Sequence, residues 1–482
     1  MDKYKGILKN TFIFGLGIVL SKVIISLMLP LYTRVLSTAE YGNAELLVNI
    51  SAVAVPICSA AIPSAVFRFG MDKDCSKCDV LKCGVLFMLW PAGLLAVLLA
   101  VFGSMPIFGV VGEYSLFFYL ITFLTIFRSV FYLYVKAEEK NILFSADVIL
   151  YNLVLALLNV LFLVGFHMGL TGFFLSIVIA NVFSIVLLCI CGRILPDLGQ
   201  GRWNTRLLKT MLGFSVPIIF TDIAWALINA TDKVMITNRI SEDANGVYSA
   251  ASKIPAIILM ATNAFAEAWV ISAIQNYDEN QEAHHSEKKD NLFGNVFFIF
   301  HLIICFLTLF VYAINNAFVP WFLGEDYKAA AMYTPLLMLS VVFTGYSGYY
   351  SSVFSAAKKT VHVMVSVLLG VGANVLLNLW LIPKIGVIGA CIATVISSMI
   401  TCVYRMITGK KYAGMQLGIV KWLISMLVIG VSCAAVSYDR YGTLVSLAGM
   451  LIVGAMYAGR IREMIRKVMQ YRRQKAETKQ QS

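Results

Sequence analysis

The sequence has little charge and no long polar segment. Only 13% of its 482 residues are charged, whereas 60% are hydrophobic. A soluble domain cannot bury that much apolar surface. Apolar stretches of about 20 residues recur along the chain, each long enough to cross a hydrocarbon core of roughly 30 Å. These properties predict an all-α polytopic membrane protein without a soluble domain between its spans.

Several sequence motifs are missing, and each absence excludes a class of function. No G-x-x-x-x-G-K-[ST] segment is present, which excludes nucleotide hydrolysis by a P-loop. The ten cysteines form no secreted disulfide framework, and the C-x-x-C at Cys75 to Cys78 lacks the four ligands of a structural zinc. The predicted external loops are too short for the acid–base groups of a membrane glycosyltransferase. The sequence therefore predicts a transporter, with no enzyme activity, cofactor or metal.

Fourteen apolar spans are predicted, and their loops carry an uneven charge. The run from Phe12 to Leu31 is too long for a typical signal sequence and is interpreted as a retained first helix. Assigning every Lys and Arg gives 29 on the side of the termini, 5 on the other side and 4 within spans. The positive-inside rule then places both termini in the cytoplasm and the protein in the cell membrane.

The formal charge of +12 follows from this orientation, so no nucleic-acid partner is needed. Eight basic residues lie between Arg460 and Lys479. They would either contact an anionic inner leaflet or form a solvated tail that only fixes orientation.

An internal repeat relates the two halves of the chain. Landmarks recur in the same order at shifts of 204 to 219 residues. The matched pairs are Val35-Leu36-Ser37 leading to Gly42 with Arg239-Ile240-Ser241 leading to Gly246, Pro106-Ile107-Phe108 with Pro320-Trp321-Phe322, and Leu157-Leu158-Asn159 leading to Gly169 with Leu376-Leu377-Asn378 leading to Gly386. Six spans separate the copies, so the repeat is parallel. It predicts six-helix lobes at residues 1–205 and 206–410, two further spans at 411–460 and a basic tail at 461–482.

Ionisable residues inside the spans mark a predicted cavity. Each costs a few kcal/mol in a bilayer and usually faces a partner or water. The basic ones are Lys22, Arg128, Lys233 and Lys253, and the acidic ones are Asp147, Asp222, Asp232 and Glu267, with Glu45 near a membrane surface. Deep basic residues in both lobes favour an anion such as phosphate.

Each of these residues has a structural alternative. Lys22 could form an ion pair with a neighbouring helix, and Arg128 could be an interfacial anchor. Lys233 and Asp232 could pair locally or extend to the outer surface, and Lys253 could pair with Asp232. A proton or cation site would instead depend on Asp222 or Glu267, since a buried carboxylate can load and release a proton.

The assembled residues resemble a known family. Lys9-Asn10-Thr11 before the first span, Pro30 to Ser37, Glu40-Tyr41-Gly42, Thr231 to Ile236 and Gly246 to Ser249 are similar to the Wzx-type flippases of the multidrug/oligosaccharidyl-lipid/polysaccharide superfamily. The resemblance covers the whole chain. It implies transfer of an undecaprenyl-diphosphate-linked oligosaccharide to the outer leaflet by alternating access.

The resemblance also implies roles and partners. Lys22, Arg128, Lys233 and Lys253 would attract the diphosphate, and Asp222 or Glu267 would couple transport to a H⁺ or Na⁺ gradient. The partners would be the lipid-linked oligosaccharide, membrane lipids, a polysaccharide polymerase and other assembly proteins. The alternatives are a lipid II-type flippase and an ion-coupled multidrug exporter of the same superfamily, and then a glycan-assembling enzyme or a scaffold.

Overall fold

The computed structural model describes residues 24, 27–72, 75–102, 109–277, 292–413, 418–438 and 441–481, and its regular structure in these ranges is entirely helical. Residues 27–35 are helical and precede the first complete helix. The complete helices are α1 (Thr38–Ser59), α2 (Ile62–Gly70), α3 (Lys77–Phe102), α4 (Gly109–Glu113), α5 (Ser115–Ala137), α6 (Asn141–Asn159), α7 (Gly169–Gly192), α8 (Ile194–Gln200), α9 (Thr205–Arg239), α10 (Glu242–Gln275), α11 (Leu292–Leu323), α12 (Ala330–Ala356), α13 (Val361–Ile385), α14 (Val387–Ala413), α15 (Ile419–Ser437) and α16 (Gly442–Gln481). The predicted all-α fold class is confirmed.

Eleven helices of the described chain are long and apolar enough to cross a membrane. They are α1, α3, α5, α6 with the turn that follows it, α7 and α11 to α16. A multi-pass membrane protein is therefore confirmed. The count of fourteen spans stays a prediction, because most of the first span and several side chains of α9 and α10 lie outside the described residues.

The first compact unit consists of the described residues up to Ala250 together with Asn378–Ala390. Its apolar core joins α2, α3, α5, α7 and the start of α9, with fully buried side chains at Val66, Cys83, Val130, Leu188 and Met211. The core thus extends past residue 205, where the first predicted lobe ends. The lobe boundaries themselves stay a prediction.

The second compact unit consists of Ala251–Leu377 and the described residues from Cys391 onward. One part of its core is aromatic and includes Trp269, Tyr346, Tyr349, Tyr350 and Phe354, all less than 5% exposed. A neighbouring cluster packs α11 and α12 against α15 and α16. The last two predicted spans therefore belong to the core of this unit.

Two matched landmarks of the repeat adopt the same backbone conformation. Gly169 opens α7 with φ +54°, and Gly386 precedes α14 with φ +65°. This left-handed conformation favours glycine because it strains residues with a Cβ. The following glycine is also constrained in each copy, since a Cβ on Gly172 or Gly389 would lie within 3.0 Å of nearby heavy atoms. Both halves thus turn between spans in the same way.

Several spans contain built-in irregularities. Pro56, Pro255 and Pro335 lie inside α1, α10 and α12. A proline within a helix removes one backbone hydrogen bond and bends it. The end of α6 continues as a π-helix at Val160–Gly165. These helices are accordingly not uniform rods.

Candidate functional site

A buried ion pair joins α1 and α9 in the first unit. Lys233 Nζ lies 2.9 Å from Glu45 Oε2, and both residues are less than 10% exposed. The Tyr41 hydroxyl donates to Glu45 Oε1 at 3.3 Å, and the Asn49 amide donates to Oε2 at 3.4 Å. A buried carboxylate and ammonium hold each other in charged form only with such support. Lys233 is therefore neutralised in this structure.

Asp232, the neighbour of Lys233, has polar partners of its own. The Tyr248 hydroxyl donates to Asp232 Oδ2 at 2.6 Å, and the Asn378 amide donates to Oδ1. Asp232 is 5% exposed. Asn378 is a landmark of the predicted repeat, so a landmark side chain reaches this site.

A second buried ion pair lies between α5, α6 and α7. Arg128 Nη2 lies 3.1 Å from Asp147 Oδ2, and Asp147 is fully buried. Arg128 Nε donates to Ser184 Oγ at 2.8 Å, and the Ser184 hydroxyl in turn donates to Asp147. The guanidinium also lies 3.8 Å from the centre of the Tyr151 ring. The charge of Arg128 is thus balanced by a carboxylate and an aromatic face.

The two pairs share one chemical character. Arg128 and Lys233 each hold a carboxylate at hydrogen-bonding distance. An anionic ligand at Arg128 or Lys233 would compete with that carboxylate for the positive charge. The arrangement suits exchange between an internal and an external anion.

The other predicted site residues are placed as follows. Asp222 is exposed on α9, and Lys253 is partly buried on α10 in the second unit. Glu267 belongs to α10, but its side chain lies outside the described residues, and so does the whole of Lys22. The structure therefore brings Arg128 and Lys233 to their acidic partners, and the proposed ligand roles of all four basic residues stay predictions.

One buried cation is missing from the sequence-based prediction. Arg405 on α14 is 6% exposed and donates to Ser366 Oγ and to the Ser347 carbonyl, both at 2.7 Å. Its acceptors on α12 and α13 are neutral, so it pins three helices together. The span α14 runs to Ala413, beyond Arg405, and a longer predicted span would have included this residue.

Metal ligation has no support in the described residues. They contain no group of three or more His, Cys, Asp or Glu side chains that could hold a metal ion. Cys75 and Cys78 are partly buried and are not joined by a disulfide.

Two family models match the sequence. The model described as "Polysaccharide biosynthesis protein" matches residues 7–271, which is more than half of the chain. The MatE model matches residues 217–380. No curated protein matches the sequence.

Solved membrane transporters share the fold. A lipid II flippase MurJ in an inward closed conformation is 13% identical, with a TM-score of 0.68 over 93% of this chain and 100% of that chain. An outward-facing multidrug resistance MATE family transporter of the MOP superfamily is 14% identical, with a TM-score of 0.54 over 83% and 95%. A variant of the Vibrio cholerae MATE transporter VcmN is 14% identical, with a TM-score of 0.50 over 85% and 98%. At these identities the likeness is one of fold.

Proposed function

This chain belongs to the polysaccharide biosynthesis protein family, and we propose that it moves an undecaprenyl-diphosphate-linked oligosaccharide from the cytoplasmic to the outer leaflet of the cell membrane. It is a multi-pass transporter of the MOP superfamily and not an enzyme. The sugar and diphosphate would cross through a hydrophilic cavity by alternating access while the lipid tail stays in the bilayer. Both termini would lie in the cytoplasm.

The match to the polysaccharide biosynthesis family supports this proposal, because it extends from residue 7 to residue 271, more than half of the chain. That range includes both buried ion pairs of the first unit. Lysine binds phosphate as a point charge and arginine as a two-pronged donor. We assign diphosphate binding to Lys22, Arg128, Lys233 and Lys253 on this basis.

The ion pairs add a requirement for the ligand. Arg128 and Lys233 each hold a carboxylate that carries a single charge. A diphosphate offers more charge and more acceptor oxygens than one carboxylate, so it can compete for these cations. A neutral sugar lipid without phosphate would leave the pairs undisturbed.

Transport would draw on a H⁺ or Na⁺ gradient, with Asp222 or Glu267 as the coupling carboxylate. Membrane lipids, a polysaccharide polymerase and other assembly proteins are the proposed partners.

A lipid II-type flippase is the second candidate. The fold likeness to the lipid II flippase, at a TM-score of 0.68, exceeds that to the outward-facing multidrug transporter, at 0.54. The match of the MatE model to residues 217–380 keeps an ion-coupled multidrug exporter as a third. The three candidates differ in the substrate that they carry. An assay with several substrates distinguishes them.

The test is reconstitution in liposomes with a fluorescent undecaprenyl-diphosphate oligosaccharide, lipid II or an organic cation. We expect the labelled oligosaccharide to become accessible on the far leaflet, faster with an imposed H⁺ or Na⁺ gradient. Lys22→Ala and Lys233→Ala should each slow this at least ten-fold, because each removes a proposed diphosphate ligand. Lys209→Ala is the matched control, since Lys209 is exposed on the same helix as Lys233.

Movement of lipid II alone would replace the proposed substrate with the second candidate. Movement of the organic cation alone would favour the exporter. Folded protein that moves none of the three under any gradient would overturn the transport proposal itself.

A further inference from the structure

The first turns of α1 and α10 cross at two glycines that are equivalent in the predicted repeat. A Cβ placed on Gly42 would lie 2.8 Å from the backbone nitrogen of Gly246, and one on Gly246 would lie 3.2 Å from the nitrogen of Gly42. Still closer are the Glu242 carbonyl oxygen to the first and the Thr38 carbonyl oxygen to the second. The crossing has no room for a methyl group on either helix.

The contact is reciprocal. Gly246 follows Gly42 by 204 residues, and Glu242 follows Thr38 by the same 204. Each copy of the repeat therefore offers the same two positions to the other copy, a glycine and the carbonyl one turn before it. Such a pairing makes an approximate two-fold contact between the two halves of the sequence.

One buried and two exposed polar contacts hold the crossing. The Asn245 amide donates to the Gly42 carbonyl at 2.8 Å, and the Asn43 amide donates to Glu242 Oε2 at 2.8 Å. The Thr38 hydroxyl donates to Asp243. Two of these bonds are exposed. Because water replaces exposed hydrogen bonds at little net cost, these two bonds oppose separation of the helices only weakly.

The ion pair lies next to this crossing. Glu45 is three residues beyond Gly42 on α1, and Lys233 lies on the helix that leads into α10. Separation of α1 from α10 and the end of α9 would carry Glu45 away from Lys233. The crossing is therefore placed to influence the Lys233–Glu45 contact.

We propose that the Gly42–Gly246 crossing is a closure of the transport path that opens in each cycle, and that opening transfers Lys233 from Glu45 to the diphosphate of the cargo. This rests on the proposed function. The glycines act as positioning residues, since they allow the closed contact without touching cargo. Lys233 becomes an anion-binding group only in the open state.

The test uses a buried reporter behind the crossing. Ser249 is fully buried one turn beyond Asn245 on α10, so Ser249→Cys reports opening by reaction with a membrane-impermeant maleimide added outside proteoliposomes. The signal is the labelling in excess of the parent protein, which has ten native cysteines. We expect Gly42→Ala and Gly246→Ala to raise this labelling at least ten-fold and to slow oligosaccharide transfer by a similar factor.

Gly213→Ala is the matched control, because a Cβ there meets open space. It should leave labelling and transfer unchanged. If the crossing variants are folded and label no faster than the control while the parent transports, the closure is overturned and the proposed function stands. If they label faster but the parent moves no oligosaccharide, the closure stands and the substrate assignment is overturned.

A second variant tests the closure without the alanine substitutions, in case those proteins do not fold. Thr38→Cys with Asp243→Cys places two thiols at contacting side chains, and a short cleavable bis-thiol reagent should join them. Joining should slow transfer at least ten-fold, and cleavage should restore it. Full transfer by the joined protein would overturn the closure.

Exchange of Lys233 has its own readout. In the Gly42→Ala protein, inorganic diphosphate should slow labelling of the Ser249→Cys reporter, and Lys233→Gln should abolish that protection. Lys209→Gln, on an exposed residue of the same helix, should retain it. Protection that persists without Lys233 would overturn the exchange step.

Discussion

The two compact units differ in the side chains that they bury. The first unit buries paired charges, Arg128 with Asp147 and Lys233 with Glu45. The second unit buries rings, with the Trp269 ring 5.1 Å from that of Phe293 and 5.6 Å from that of Tyr349, between centroids. Ion pairs can change partners as discrete units, whereas interlocked rings resist rearrangement.

The exceptions in the second unit support the same contrast. Its buried His301 lies between the Tyr346 hydroxyl at 2.7 Å and the Ser425 hydroxyl at 3.3 Å. These partners connect α11, α12 and α15 through neutral groups. His301 therefore joins helices without a charged partner, whereas Arg128 and Lys233 of the first unit each face a carboxylate.

The largest expected effect comes from breaking a charge pair of the first unit. Asp147→Ala leaves the Arg128 guanidinium partly buried without its carboxylate, and removal of one partner of a buried pair costs about 3–5 kcal/mol. We expect that loss in the free energy of unfolding, measured by reversible SDS titration in mixed micelles. Asp326→Ala, at an exposed turn of the second unit, should change stability by less than about 0.5 kcal/mol. Equal effects at both positions would contradict the contrast between the units.

A matched pair of tyrosines sharpens the comparison within the aromatic core. The Tyr349 hydroxyl donates to the Phe293 carbonyl at 2.8 Å, whereas the buried Tyr350 hydroxyl has no hydrogen-bond partner in the described part of the chain. Tyr349→Phe should cost about 1 kcal/mol, the net value of one hydrogen bond. Tyr350→Phe should be neutral or stabilising, because it removes an unsatisfied polar atom. The same SDS titration measures both variants. A larger loss of stability in Tyr350→Phe than in Tyr349→Phe would contradict this assignment of hydrogen bonds.

The smallest expected effect concerns a charge cluster outside the spans. Glu138 lies 2.8 Å from Lys140 and 3.5 Å from Lys77. Partial burial raises the pKa of Glu138, but the hydrogen bond and charge of Lys140, with Lys77, outweigh it and hold the pKa below its usual range. The pair therefore stabilises the fold above the ordinary glutamate pKa and loses this contribution as pH falls through the lowered value.

Glu138→Gln should accordingly cost only about 0–1 kcal/mol at pH 7, because the group is near the surface. The difference between the variant and the parent protein should vanish at acidic pH. Thermal unfolding in detergent at neutral and acidic pH measures this. If Glu138→Gln lowered the free energy of unfolding as much as Asp147→Ala, the stability of the first unit would depend on its charge pairs whether or not they are buried.

The fold was predictable from the sequence because lipid imposes a simple rule on composition and span length. The charged residues of the first unit were predictable for the same reason, since Arg128, Asp147 and Lys233 stand out in apolar segments. Which of the charged residues pair with each other was not predictable. Glu45 precedes Lys233 by 188 residues, and hydropathy holds no information on which helix faces meet.

The repeat was visible in the sequence, but the contact between its copies was not. Gly42 and Gly246 match by position, and a parallel repeat says only that two segments share a structure. That these segments meet each other depends on how helices pack in space. Arg405 was missed for a local reason, because the end of α14 runs beyond it.

The neutral pairing of Lys233 with Glu45 has a consequence for membrane voltage. A transmembrane potential does work on net charge, about 2.3 kcal/mol for each elementary charge moved through 100 mV. A lysine that moves together with its glutamate carries no net charge through the field. At this pair, only the step that parts the two residues is driven or opposed by the potential. The charges of the diphosphate and of the coupling ion add their own voltage dependence, so a voltage-dependent step that persists without cargo or ion gradient would report the parting of the pair.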